Sequence, residues 1–322
     1  MKTIFHLFVL AIFSCQPPNR TQSMLMNDIS IIPEPVSKQI LNGTIDLRSI
    51  KGIILKNGSE KEHQIAALFQ EHLSPAVSLS ISELVPASLS ATLDHIIISL
   101  DTNADIPPEG YNLAVGDHHK IELIANSFSG LFYGFQTFRQ LCPPGLEKGE
   151  KPKNTLIQNC KIVDAPTFGY RGMHLDVSRH FFDVNFIKTY IDMIALHKMN
   201  VFHWHLTDDN GWRIEIKKYP ELSENSAWRV DRTKEPWKEQ SPIQPGEKAT
   251  YGGYYTQDEI RDVIKYASDR NIVVIPEIEM PGHTSEVFAA FPNLSCKGDT
   301  LPVNPGSYWP NEDIFCAGNE DV

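Results

Sequence analysis

Apolar and polar positions follow two different rhythms along this chain, and the change falls near residue 165. Before it, short apolar runs at 53–55 and 95–100 read as strands mixed with helices. Residues 111–115 and 120–125, joined around Gly116-Asp117, read as a hairpin with Tyr111, Leu113 and Val115 alternating onto one face. A helix is predicted after Ser127, because Leu131, Phe135 and Phe138 are spaced to make a buried stripe. These elements predict a small α+β domain over 29–160. Pro and Gly residues between Asp164 and Gly172 mark its end.

The second rhythm is strand, helix, strand, helix, strand. Met173, Leu175 and Val177 point to one side of the first strand, with His174 and Asp176 on the other. Asp183 is a suitable N-cap for a helix carrying Ile187, Tyr190, Ile191 and Ile194. His203 and His205 alternate with Phe202, Trp204 and Leu206 on a second strand. Thr256-Gln257-Asp258-Glu259 is a capping box, followed by Ile260, Val263, Ile264 and Ala267 on one face, and 272–275 is the third strand. Strands alternating with helices of this length predict an α/β fold with a parallel sheet, either a barrel or a doubly wound sheet.

Length and charge narrow the class. At 322 residues, 41% hydrophobic and 21% charged, the chain suits about two globular domains. A formal net charge of -11 leaves no electrostatic footprint for nucleic acid. Lys2 precedes an apolar run at 4–13 that is too short to span a bilayer and fits an export signal. Ser14-Cys15 directly after it resembles the bacterial lipoprotein signal, with Cys15 the lipidated residue after cleavage; simple secretion is the alternative. Residues 1–15 are thus expected to be a signal peptide and 16–28 a polar tether. The protein is expected to be exported, to the bacterial periplasm or as an outer-membrane or cell-surface lipoprotein attached to the membrane by its lipid. In that setting cysteines pair. Cys296 and Cys316 bracket a Pro/Gly/Asn-rich loop and are expected to form a disulfide worth roughly 3 kcal/mol. Pairing of Cys142 with Cys160 stays open.

Chemistry concentrates at the strand ends, where barrels place it. Arg179 follows the first strand and can donate two parallel hydrogen bonds to vicinal sugar hydroxyls or a carboxylate, or can hold a loop by a salt bridge. Asp208 and Asp209 follow the second strand, although Asp-Asp-Asn-Gly is also a good turn. His283 comes after a strand bearing Glu277 and Glu279, and an imidazole on a carboxylate can tune a nearby acid. The His203-x-His205 pair near Asp208 also permits a metal-dependent barrel hydrolase, against hydrogen-bonded interior histidines as the plainer alternative.

RGMHLDVSRHFF (171–182), NVFHWHLTDDNGWR (200–213), YYTQDEIRDVIKYA (254–267) and PEIEMPGH (276–283) together resemble glycoside hydrolase family 20, the β-N-acetylhexosaminidases. EGYNLAV (109–115) and GLFYGFQTFRQL (130–141) resemble that family's accessory domain. The resemblance implies an α+β domain followed by a (β/α)8 TIM barrel. It also implies removal of terminal β-linked N-acetylglucosamine or N-acetylgalactosamine from glycans or chitooligosaccharides, with no cofactor and no metal. In that family the substrate's own 2-acetamido carbonyl oxygen attacks the anomeric carbon, giving an oxazolinium-like intermediate and retention of configuration. By similarity, Arg179 would hold the sugar hydroxyls, while Asp208 and His283 would form a supporting dyad beside the acid; Arg171 would be structural. The family's aromatic box for the acetamido methyl is not found, and Trp204, Trp212 and Trp228 are not obvious substitutes.

One departure matters. The family's general acid/base lies in an adjacent Asp-Glu pair after two glycines at the end of the fourth barrel strand, and here the one Asp-Glu is Asp258-Glu259 in the capping box. Residues 166–322 also fall well short of the ~250 of an eight-stranded barrel. The expectation is therefore an incomplete barrel of about three strands, a fragment that is inactive and poorly packed on its own because its sheet edge is open. A non-catalytic surface carbohydrate-binding protein is the third reading.

Overall fold

The computed structural model describes residues 29–83, 94–306, 311–320 and 322. The expected signal, Cys15 and the tether at 16–28 lie outside the described residues.

The first half comprises β1 (Ser37–Asp46), β2 (Gly52–Leu55), α1 (Glu60–Leu73), β3 (Ser80–Glu83), β4 (His95–Leu100), β5 (Tyr111–Asp117), β6 (Lys120–Ala125), α2 (Phe128–Leu141) and β7 (Leu156–Asp164). Its strands form one mixed sheet in the order β1-β7-β5-β6-β4-β2-β3. The hairpin pairs Leu113 with Leu123 and Val115 with Ile121, so the alternating apolar positions all reach the core. Ser127 caps α2 by accepting from the Gly130 N–H. Two glycines then let this helix approach the sheet: a Cβ at Gly130 would lie 2.1 Å from the Gly110 carbonyl oxygen, and one at Gly134 would lie 2.2 Å from Leu123 Cδ1. Close approach buries Phe132, Phe135 and Phe138 together with Phe69 of α1.

The second half continues with β8 (Gly172–Asp176), α3 (Val184–Leu196), β9 (Val201–His205), β10 (Thr207–Asp208), β11 (Gly211–Trp212), α4 (Glu221–Glu224), β12 (Trp228–Val230), β13 (Ala249–Gly252), α5 (Gln257–Ser268) and β14 (Val273–Glu277). Strands β8, β9 and β14 form a three-stranded parallel sheet with β9 in the centre. Asp183 and Thr256 cap α3 and α5, the latter in the expected box with Glu259. Ile187, Ile191, Val263 and Ala267 from these helices are fully buried with Phe202 and Trp204 of β9. Because β8 lies at the sheet edge, Met173 remains 41% exposed, whereas Val177 just beyond it is buried.

The halves are joined through Arg171 at the start of β8. Its guanidinium donates to Glu109 Oε2 at 2.9 Å, the Lys198 carbonyl at 2.8 Å and the Tyr133 hydroxyl at 2.9 Å. Lys198 completes the joint, donating to Asp164 Oδ2 at 2.8 Å and the Tyr111 hydroxyl at 2.9 Å. Cys296 and Cys316 are disulfide-bonded, and Cys142 and Cys160 are free, buried thiols.

Candidate active site

Parallel register sets Asp176, His205 and Glu277 side by side at the C-terminal ends of β8, β9 and β14. One step earlier, His174 and His203 stand abreast on the same face, their rings 4.8 Å apart. The loops that follow these strands then bring the distant charges together. Arg179 reaches back so that Nη1 donates to Asp176 Oδ2 at 2.6 Å and Nη2 lies 2.6 Å from Asp208 Oδ2. The first contact is an aligned hydrogen bond; the second is a charge contact whose angle leaves Asp208 Oδ2 without a hydrogen bond.

Asp208 ends β10 and Asp209 opens the turn to β11. Asp208 Oδ1 accepts from the Asp209 N–H at 2.8 Å, and His283 Nδ1 lies 3.2 Å from Asp208 Oδ1 and 3.2 Å from Asp209 Oδ2. Only the Asp209 contact has hydrogen-bond alignment. Asp209 Oδ1 accepts from the Ser285 N–H at 3.2 Å and its hydroxyl at 2.9 Å. Arg179, Asp208 and His283 thus share one cluster, with Asp176, Asp209 and Ser285 as further members that the sequence reading had not assigned roles in it.

Burial raises the pKa of the Asp208 carboxyl, against the opposing pull of Arg179 and His283. At His283 burial works downward, but Asp208 and Asp209 outweigh it and the imidazole pKa stands above its ordinary value. Glu279 is raised by sharing a hydrogen bond with Glu277, then by burial. Such a set holds an imidazole against one nearly sealed carboxylate, with a partly exposed guanidinium beside them; it can bind hydroxyls and steady charge developing beside Asp208.

Arg213 is the structural residue most easily missed. Wholly buried, it donates to the carbonyls of Val177, Ser178, Asn210, Ala227 and Gly253 at 2.6–3.1 Å, stitching together the loops that carry Arg179 and Asp208. Burial, then the neighbouring Arg229 charge, lowers its pKa to about 10, with Glu286 among the groups opposing the shift. Its place in the Asn-Gly-Trp-Arg run was the available signal. Gly211 is required beside it, since a Cβ there would fall 2.3 Å from the Arg213 guanidinium carbon. Trp204 is buried against Tyr255 and Phe202, so it does not line the cleft.

Comparison with known proteins agrees with this architecture. Residues 28–165 match the model for glycosyl hydrolase family 20, domain 2, and residues 168–322 match that for the family's catalytic domain. A β-hexosaminidase of Porphyromonas gingivalis is 38% identical over 91% of this chain and 35% of its own length. One from Vibrio furnissii is 45% identical over 61% of this chain and 30% of its own length. Among solved structures, the N-acetyl-β-hexosaminidase of Streptomyces plicatus superposes with a TM-score of 0.76 at 31% identity, covering 90% of this chain and 54% of that one. The chain spans about a third of the length of these two curated relatives. An α/β fold with an accessory domain and two consecutive family matches that together run from residue 28 to 322 lead to one assignment: the chain belongs to glycosyl hydrolase family 20.

Proposed function

We propose that the protein is a β-N-acetylhexosaminidase, removing terminal non-reducing N-acetylglucosamine or N-acetylgalactosamine from β-linked glycans or chitooligosaccharides. The observation that carries the reading is the convergence of Arg179, Asp208 and His283, far apart in sequence, with contacts of 2.6 and 3.2 Å centred on Asp208. In this reading Arg179 binds sugar hydroxyls with its cleft-facing edge. The substrate's acetamido oxygen attacks the anomeric carbon as the leaving-group oxygen takes a proton, and water then opens the oxazolinium ring with net retention. Asp208 and His283 act on that step as positioning residues, through the electrostatics of the neighbouring acid.

The three-stranded sheet is, in this proposal, the first part of a (β/α)8 barrel occupying 166–322, with 29–160 as accessory domain. Support comes from the apolar residues of β14 and its loop: Val273 is 63% exposed, Ile275 39% and Met280 66%, unusual for a parallel sheet, which is normally covered on both faces. We further infer that the protein is exported, with 1–15 as signal, 16–28 as tether and Cys15 as lipid anchor, so that it meets its glycans outside the cytoplasm.

The test is hydrolysis of a chromogenic β-N-acetylglucosaminide by the whole protein, with the matching β-glucoside, which lacks the acetamido nucleophile, as control. Selective turnover of the first, reduced about 100-fold or more by Asp208→Asn, is the expected result. Equal turnover of both sugars, or of neither, overturns the assignment.

A further inference from the structure

Beside the Arg179–Asp208–His283 cluster lies a second group of polar side chains that the proposed reaction does not use. Glu277 Oε2 is buried and accepts no hydrogen bond, yet three imidazole nitrogens surround it. His203 Nε2 is 2.7 Å away, His174 Nε2 3.4 Å and His205 Nδ1 3.9 Å.

The tautomer of His205 follows from its other edge. His205 Nε2 lies 2.9 Å from the Thr207 carbonyl oxygen, which can only accept, so Nε2 carries the proton. In the neutral ring, Nδ1 then presents a lone pair toward two carboxylates, Glu277 and Asp176, each 3.9 Å away. Lone pair facing carboxylate is repulsive unless a proton on Nδ1 or a metal cation sits between them. An imidazole whose remote N–H is fixed by a backbone carbonyl is also the usual arrangement of a histidine ligating a metal.

We propose that His174, His205 and Glu277 form a binding site for a divalent transition-metal cation of the zinc type, on the sheet face between β8, β9 and β14. Their donor atoms all lie within 4.8 Å of one another. A tetrahedral ion with ligands at ~2.0–2.1 Å sets its donors about 3.4 Å apart, and the His174–Glu277 separation is 3.4 Å. Two imidazoles and one carboxylate suit zinc and its neighbours, whereas magnesium and calcium take oxygen ligands. His203 backs the carboxylate from outside this trio. The neighbouring trio of Asp208, Asp209 and His283 also has ligand spacing. There, however, Arg179 already supplies a positive charge 2.6 Å from Asp208, and His283 Nδ1 is engaged with Asp209.

Calorimetric titration of the purified, metal-stripped protein with zinc, followed by metal analysis after desalting, tests the site without any reference to turnover. One equivalent retained, not displaced by excess magnesium, is expected. His174→Ala and Glu277→Gln should each weaken binding at least tenfold, while His283→Ala leaves it unchanged. With cobalt in place of zinc, the intense visible absorption of a four-coordinate ion should appear in the wild type and vanish in His174→Ala. The His174 side chain is 47% exposed, so its loss should not unfold the chain. Absence of stoichiometric binding by the wild type, or loss in His283→Ala with retention in His174→Ala, overturns the proposal.

Discussion

Arg179 Nη2 stands 2.6 Å from Asp208 Oδ2, joining a guanidinium whose side chain is 37% exposed to a carboxylate that is 2% exposed. Removing the cation by Arg179→Ala strands a buried carboxylate. Truncating a fully buried pair costs ~3–5 kcal/mol; with one partner this open to solvent, about 1–2 kcal/mol is expected. Denaturant unfolding reads it directly, and adding Asp208→Asn to Arg179→Ala should recover part of the loss. An unshifted midpoint in the single variant contradicts this account.

The contacts of His283 should make stability pH-dependent with a definite sign. Its folded-state pKa is raised, so its contribution is fully present below the unfolded-state value of about 6.5 and is lost as pH rises through the folded-state value. Asp208, Asp209 and Arg179 are the charges that face it. The unfolding free energies of the wild type and His283→Gln should therefore differ most near pH 6 and converge on the alkaline side. A gap that grows toward alkaline pH contradicts the assignment.

Arg213→Lys should behave as a severe substitution despite the conserved charge. An ammonium offers three donors where the guanidinium satisfies five carbonyls, so at least two of these hydrogen bonds are lost, and only the Asn210 and Ala227 oxygens keep a second donor, from Arg229 Nη1 and the Gly253 N–H. At ~1–3 kcal/mol for each, a loss of about 2–6 kcal/mol is expected, measured by thermal or chemical unfolding. A change below ~1 kcal/mol would show that the five contacts do not bind the loops together.

Thiol chemistry should separate the described cysteines into two classes. Burial pushes the Cys160 thiol up to about 12 and raises Cys142 well above its ordinary value, so both should resist alkylation at pH 8 until denaturant is added. The Cys296–Cys316 bridge closes a loop with a sequence separation of 20, and reduction should sensitise that segment to proteolysis first. Mass mapping of alkylated peptides checks both statements; rapid native labelling of Cys142 or Cys160 would contradict the first.

Much of this architecture was legible because local signals agree with tertiary ones. Ser127, Asp183 and Thr256 announce helices that the structure starts where they fall, and the Tyr111–Leu113–Val115 alternation gave the hairpin its buried face. Strand β1 was not legible: Ser-Lys-Gln-Ile-Leu-Asn-Gly-Thr-Ile-Asp is polar, contains a turn-like Asn-Gly, and is held as a strand by pairing with β7 across an irregular register. The same limit applied at the site. Strand ends pointed to Arg179, Asp208 and His283, but that His283 aligns on Asp209, or that Arg213 gathers five carbonyls, depends on how separate loops fold back on one another.

Strand β8 has a foot and a crown. Arg171 at its foot is bolted to Glu109, just before β5, and to Tyr133 of α2, while Arg179 lies three residues past its other end, with only about 16 Å of extended backbone between foot and crown. So short a rod transmits any tilt of the accessory half to the Arg179 guanidinium. The accessory half thus sets the height at which Arg179 stands, and loosening Glu109 should be felt at the far end of the strand.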